Sequence, residues 1–327
     1  MSTPQGTSFS FDAPGSSMTL FERILVPLDG SPAAESILYQ AQKLLCGRKS
    51  RVILFHSRTS DPPATGGVAA ANDPAAYLKS VADRLTYQGA RDVRTIVHAG
   101  PVRDALREAI QVERASLVAI SSHGARTAPE VPVAGTIDEI LRDTTVPLFV
   151  SRAFEAVSED EVRPARCEPS NIRRILVPLD GSSVCEAILP FARELGQMLG
   201  ALIVVLHVDP DLADDPGGFL ATRVTGKPEG PIPDGTASAD DRLTYAARFF
   251  SAAGLETMVL KLGGSPAGTI LAFARPSAVD LIAMTSHGRT GISNLLIGSV
   301  AQRVLKEAIL PTLVVRGPRV AADQCVP

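Results

Sequence analysis

The segment Thr285-Ser-His-Gly288-Arg289-Thr-Gly291-Ile-Ser-Asn-Leu-Leu-Ile-Gly298-Ser299-Val300 carries the residue types best suited to chemistry. Gly288 directly follows an apolar run and can take a positive φ. Gly291 keeps the loop open to a ligand. Gly298 and Ser299 open a helix, and Ser299 with Gln302 has the spacing of a capping box. Loop amides followed by a helix N-terminus make an anion site suited to phosphates. Taken alone, the same letters equally describe a Gly-rich strand-to-helix turn with an ordinary N-cap. The second element is Pro178-Leu179-Asp180-Gly181-Ser182, at the end of a strand. A carboxylate there can accept from a ribose hydroxyl or an adenine amino group. It equally suits an Asx-turn holding a strand-to-helix corner.

Other chemistry is thin. His123 and His287 sit in Ser-His-Gly loops, but no partner that would make either a general base is legible. His56 and His207 end apolar strands, which points to buried, satisfied histidines. Cys185 takes the place that Ala34 has in an earlier copy of the same pattern, so it reads as a packing residue. Lys227 follows Gly226, but Pro228 stands where a phosphate-binding loop needs Ser or Thr, and the preceding Gly spacing fails too. No G-x-G-x-x-G follows a strand, and neither G-x-S-x-G nor H-E-x-x-H occurs. Cys46, Cys167, Cys185 and Cys325 are scattered, with no metal or redox spacing.

The elements that must position these residues occur twice. Residues 24–31 read Ile-Leu-Val-Pro-Leu-Asp-Gly-Ser, and residues 175–182 repeat all eight letters. Glu35 and His56 recur as Glu186 and His207 at the same offset. Asp83-Arg84-Leu85-Thr86-Tyr87 recurs at Asp241 to Tyr245, and Ser122-His123-Gly124 at Ser286 to Gly288. The offset grows only where the second copy has a longer loop, so one domain is duplicated. In the second copy, strands are expected at Arg174 to Leu179, Ala201 to Val208, Glu256 to Leu262, Val279 to Thr285 and Pro311 to Arg316. Helices are expected over 183–199, up to about Gly254, from Pro266 to Ala274 and over 299–308. Residues 209–236, rich in Asp, Gly and Pro, read as a long loop. Uniformly apolar strands alternating with helices predict an α/β fold with a parallel sheet covered on both faces. Ligands of such sheets sit at the carboxyl ends of the strands.

The segmentation expected is a disordered tail over 1–20, a first domain over 21–152, a linker over 153–171, a second domain over 172–317 and a tail over 318–327. The chain has 327 residues and a net charge of −3, with 45% hydrophobic and 20% charged residues. This balance argues against a nucleic-acid binder, which shows a basic footprint. No apolar run approaches the ~18 residues of a membrane-spanning helix. The first 18 residues lack the pattern of a signal peptide, and the cysteine usage fits a cytoplasmic location.

The pairing of ILVPLDGS with SHGRTG…GS, inside a βαβ unit of this size, resembles the universal stress protein family in its tandem two-domain form. The resemblance covers about residues 21–152 and 172–317. It implies two copies of an open, parallel five-stranded sheet sandwiched by helices, Rossmann-like in organisation. ATP-binding members carry G-2x-G-9x-G-[S/T]. Gly288, nine residues, Gly298 and Ser299 satisfy the second part, while Thr285 replaces the first Gly. By resemblance, Pro178, Leu179, Asp180 and the backbone near Val208 would hold adenosine. Thr285, Gly288, Arg289, Gly291, Gly298, Ser299 and Val300 would surround the phosphates of ATP, with Mg2+ as a candidate companion. The first copy departs further: ten residues separate Gly124 from Gly135, and Pro129 and Pro132 each lack an amide donor. Glu130 adds charge of the wrong sign, although Asp29 remains and Thr136 with Glu139 has capping-box spacing.

The expected function is therefore a tandem module binding an adenine nucleotide mainly in its C-terminal domain and acting in stress response or signalling through protein clients that the sequence does not name. Two alternatives stay open: a slow metal-assisted ATPase, and a nucleotide-free interaction protein. Family domains pair through their last strands, here Val146–Ser151 and Pro311–Arg316. A tandem chain can make that pair internally, as a pseudo-dimer, with further homodimerisation open. Neither nucleic acid nor membrane is an expected partner.

Overall fold

The computed structural model describes residues 20–45, 50–58, 73–121, 137, 140–141, 144–152, 172–212, 220–223, 237–274, 279–287 and 297–317. In the first half the elements are β1 (Arg23–Pro27), α1 (Pro32–Leu45), β2 (Arg51–Arg58), α2 (Pro74–Tyr87), β3 (Asp92–Ala99), α3 (Val102–Val112), β4 (Leu117–Ser121) and β5 (Leu148–Ser151). In the second half they are β6 (Arg174–Pro178), α4 (Leu189–Leu199), β7 (Leu202–Asp209), β8 (Leu220–Arg223), α5 (Ala239–Ala252), β9 (Thr257–Gly263), α6 (Pro266–Phe273), β10 (Leu281–Thr285), α7 (Ser299–Glu307) and β11 (Thr312–Val315).

All the strands join one sheet, in the order β3-β2-β1-β4-β5-β11-β10-β6-β7-β9-β8. Within each half, five strands pair in parallel, and the halves meet where β5 runs antiparallel to β11, with Phe149 opposite Leu313. The apolar runs are buried on both faces, which is why they show no alternation. Ile24, Val26, Ile175 and Val177 enter one core layer, while Leu25 and Leu176 enter the other. The first layer is continuous across both halves and takes in Leu20 and Phe21, which precede β1. The Leu20 amide donates to Glu194 Oε1 on α4 at 2.5 Å, and the Leu20 carbonyl accepts from Ser116 Oγ at 3.0 Å. The chain entry to the first half is thereby tied to the second.

Two expectations are corrected. The connection read as a loop over 209–236 contains β8, which pairs antiparallel with β9 from Leu220↔Lys261 to Arg223↔Met258. Four residues are too few for a periodicity signal, and the pairing comes from the edge they meet. The helix expected over 183–199 instead begins as a 3-10 turn, Cys185–Ile188, and becomes α4 at Leu189. Pro190 explains the difference. It has no amide to give to the carbonyl four residues back, that of Glu186. The turn closes instead through i→i−3 bonds from Glu186 to Ser183 and from Ala187 to Val184. In the first half the Pro stands at the helix start, Pro32, and α1 is α-helical throughout.

The two halves repeat an ion pair across the same elements. Arg84 on α2 meets Glu35 on α1, and Arg242 on α5 meets Glu186 at 2.7 Å. Their environments differ: the Arg84 and Glu35 side chains are 47% and 23% exposed, against 12% and 15% for Arg242 and Glu186. Glu35 also accepts a hydrogen bond from the Tyr77 hydroxyl at 2.9 Å.

Candidate functional site

In the second half, β6 lies between β7 and β10, so the chain leaves β6 in one direction and returns on its other side. Such a reversal opens a crevice at the carboxyl ends of the two strands. Pro178 to Asp180 close β6 at this point, and Thr285 to His287 close β10. Val208, buried, is near the end of the neighbouring β7.

The β6 corner is held from within. The Leu179 amide donates to the Leu206 carbonyl at 2.9 Å, and the Leu179 carbonyl accepts from His207 Nδ1 at 2.9 Å. His207 is a satisfied core histidine, as is its counterpart His56, whose Nδ1 donates to the Leu28 carbonyl at 2.8 Å. Asp180 Oδ1 accepts from the Ser182 amide at 2.9 Å and from Ser182 Oγ at 2.6 Å. Asp29 makes the same two bonds with Ser31 at the same lengths. The Asx-turn reading of this carboxylate is therefore correct for one of its oxygens. The residue between the partners must take positive φ, and Gly30 and Gly181 do so at 83° and 80°. Cys185 sits under this corner, 4% exposed, with its thiol donating to the Ser182 carbonyl at 2.9 Å. Burial first, and then the Asp180 carboxylate, push that thiol up to about 12, so it is a packing residue rather than a nucleophile.

On the β10 side, the Thr285 hydroxyl donates to the His287 carbonyl at 2.7 Å. Ser286 is fully buried; its amide donates to the Val315 carbonyl at 2.8 Å, and its hydroxyl shares a hydrogen bond with His287 Nδ1 at 2.9 Å. The Gly298 amide donates to the Ser286 carbonyl at 2.7 Å, which pins the start of α7 to the end of β10. A Cβ at position 298 would lie 3.3 Å from that carbonyl oxygen and 3.7 Å from His287 Cα, so the close approach depends on Gly.

The capping-box expectation for Ser299 and Gln302 is overturned. Gly298 is the N-cap, in extended conformation and with no side-chain cap, and Ser299 is the first helical residue. The Gln302 amide bonds the Gly298 carbonyl at 2.9 Å, closing the first turn by backbone alone. The first-turn amides of α7 thus get no hydroxyl from the N-cap residue.

The fold thus brings Pro178, Leu179, Asp180, Val208, Thr285, Gly298, Ser299 and Val300 to one end of the sheet. Gly288, Arg289 and Gly291 lie outside the described residues. So do the first-half loop from Ser122 to Thr136, with His123, Gly124, Glu130 and Gly135, as well as Glu139, Lys227, Cys46, Cys167 and Cys325. Among the described residues, no group of three or more His, Cys, Asp or Glu side chains could hold a metal ion. Among the same residues, no helix is long and apolar enough to cross a membrane. Sequence reasoning flagged Glu35, Glu186 and the repeated Asp-Arg-Leu-Thr-Tyr segment without pairing them. Their recurrence in both copies was the available signal.

A duplicated, doubly covered parallel sheet with a crevice at its strand reversal defines a tandem open-sheet α/β protein. The model of the universal stress protein family matches residues 20–152 and again 171–316, and the chain belongs to that family, in tandem form. A universal stress protein of Mycolicibacterium smegmatis is 26% identical over 243 residues, covering 73% of this chain and 74% of that one. One from Methanocaldococcus jannaschii is 29% identical over 147 residues, covering 45% of this chain and 84% of its own length. The crystal structure of a universal stress protein from Archaeoglobus fulgidus superposes with a TM-score of 0.63 at 20% identity, covering 91% of this chain and 97% of that one.

Proposed function

We propose that this chain binds ATP at the carboxyl ends of β6 and β10, and that it acts as a nucleotide-responsive module in stress response or signalling. The observation that carries the reading is the start of α7: a helix N-terminus whose N-cap residue, Gly298, supplies no side-chain cap and pins it beside β10. First-turn amides offered in this way suit phosphate, with the helix dipole adding to the attraction. The Gly288, Gly298 and Ser299 spacing supports it from the sequence. In this reading Pro178, Leu179, Asp180 and Val208 flank the adenosine. Thr285, Gly288, Arg289, Gly291, Gly298, Ser299 and Val300 surround the phosphates. Mg2+ arrives on the phosphates rather than in a protein cage, the usual habit of that ion. The first half, with its Pro-containing loop, serves as the structural partner. The module works in the cytoplasm, and signalling passes from nucleotide occupancy to protein clients.

The test is denaturing release of small molecules from freshly purified protein, quantified by mass spectrometry, followed by calorimetric titration with ATP and Mg2+. About one ATP per chain, lost in Gly298→Val and kept in Gly135→Val, is the expected result. No heat at millimolar ATP, with the protein folded, refutes the reading. A second reading, a nucleotide-free interaction protein, is favoured by Thr285: its hydroxyl donates to the His287 carbonyl where the family loop carries Gly. It takes over if the titration is silent.

A further inference from the structure

The outer strand β3 ends the sheet on the first half, and among the described residues its outer edge is unpaired. Its counterpart in the second half is β9. Phe55 and His56 of β2 hold the repeat positions of Leu206 and His207 of β7, and they lie opposite Ile96 and Val97, as Leu206 and His207 lie opposite Leu260 and Lys261. That counterpart edge is covered: β8 pairs antiparallel with Met258 to Lys261, the equivalents of Arg94 to Val97.

Edge strands are commonly blunted by Lys, Pro, a bulge or unbalanced charge. β3 reads Asp-Val-Arg-Thr-Ile-Val-His-Ala and keeps an unbroken register with β2 from Arg51↔Asp92 to Arg58↔Ala99. It has no Lys, Pro or bulge. Its three charged or titratable side chains are matched within the chain: Asp92 with Arg51 at 2.7 Å, Arg94 with Glu113 at 3.0 Å and His98 with Glu108 at 3.1 Å. Thr95 and Val97 are exposed.

The direction of the free backbone groups follows from one bond. The Gly100 amide donates to Arg58 of β2, so by strand alternation the even-numbered residues of β3 face β2. Val93, Thr95 and Val97 therefore point their N–H and C=O groups outward. An antiparallel partner must pair outward-facing residues with outward-facing residues. For a second copy of β3 this requires an odd residue opposite an odd one. Registers centred on Ile96 and on Thr95 both satisfy this over seven residues; the first sets Arg94 against His98, two basic side chains, which favours the register centred on Thr95. It sets Val93 against Val97, Thr95 against Thr95 and Val97 against Val93 as hydrogen-bonded pairs. Between them it sets Asp92 against His98, a complementary pair, and Arg94 against Ile96.

We infer that β3 is a self-association edge: two copies of this chain pair antiparallel through β3, on a twofold axis at Thr95, and join their sheets. The internal β5–β11 contact does not use this edge, so the new interface is additional to it. The inference does not depend on the nucleotide reading.

The full chain would be run by analytical ultracentrifugation over a concentration series, as wild type, Thr95→Lys, Thr95→Glu and an equimolar mixture of the two variants. Thr95 is exposed on an edge, and circular dichroism with a thermal melt confirms that each variant folds. Wild type is expected to dimerise, each variant to self-associate about tenfold more weakly or worse, and the mixture to dimerise again. A wild type that stays monomeric throughout overturns the inference. So does a dimer indifferent to Thr95→Lys, or a mixture that fails to recover.

Discussion

The Glu–Arg pair present in both halves offers a controlled comparison, because one pattern sits in two environments. Arg242→Met removes the cation from Glu186, whose carboxyl burial already holds above the ordinary carboxylate range and Arg242 pulls back down. Both members are nearly enclosed, at 12% and 15% side-chain exposure. Breaking a fully buried pair costs about 3–5 kcal/mol, and an exposed pair is worth about 0–1 kcal/mol. The near-complete enclosure of Arg242 places its loss just below the first range, about 2–3 kcal/mol. Arg84→Met should cost under about 1 kcal/mol, since Arg84 is 47% exposed and Glu35 keeps its bond from the Tyr77 hydroxyl. Urea unfolding of the full chain reads this directly: a midpoint loss of about 1 M for Arg242→Met, and a small fraction of that for Arg84→Met. The sign of the pH dependence also follows. A carboxyl raised in the folded state binds its proton more tightly there than in the unfolded chain. Its favourable contribution is present below the unfolded value of about 4.3 and is lost as pH rises through the folded value. Without Arg242 the folded value rises further, so the deficit of Arg242→Met should shrink as the solution is taken toward pH ~4.5. Equal costs for the two variants, or a deficit that grows on acidification, would refute the reasoning.

Other expectations are simpler. Phe250→Ala, at a fully buried position in the first core layer, should cost about 3–5 kcal/mol, read in the same unfolding assay. Cys185 should stay unalkylated in the native protein at neutral pH and react on unfolding, as peptide mass spectrometry would show, because its thiol is buried and pushed up to about 12. Gly298→Ala should fold with a small loss of stability, about 1–3 kcal/mol, and bind ATP more weakly, since its Cβ must displace the Ser286 carbonyl by a few tenths of an ångström.

The sequence made the duplicated domain, its parallel strands and their boundaries legible because identical letters recur in order and the strands are uniformly apolar. Asp180 was legible as a turn residue or a ligand, and its Oδ1 makes the turn bonds to Ser182. Features fixed by tertiary contact were not legible. β8 exists because β9 offers it an edge. The N-cap of α7 moved from Ser299 to Gly298 because the Gly298 amide was needed at Ser286. The 3-10 turn before α4 was in principle readable from Pro190. The bond from Leu20 to Glu194 joins residues 174 positions apart and left no local trace.

Because β5 and β11 run in opposite directions, every strand of the first parallel set runs against every strand of the second. The two crevices therefore open at opposite ends of the molecule. One small ligand cannot span them. The two crevices face away from each other across a shared sheet. Any influence of one crevice on the other has to cross the contacts between the halves, the buried seam at Phe149 and Leu313 together with the bond from Leu20 to Glu194.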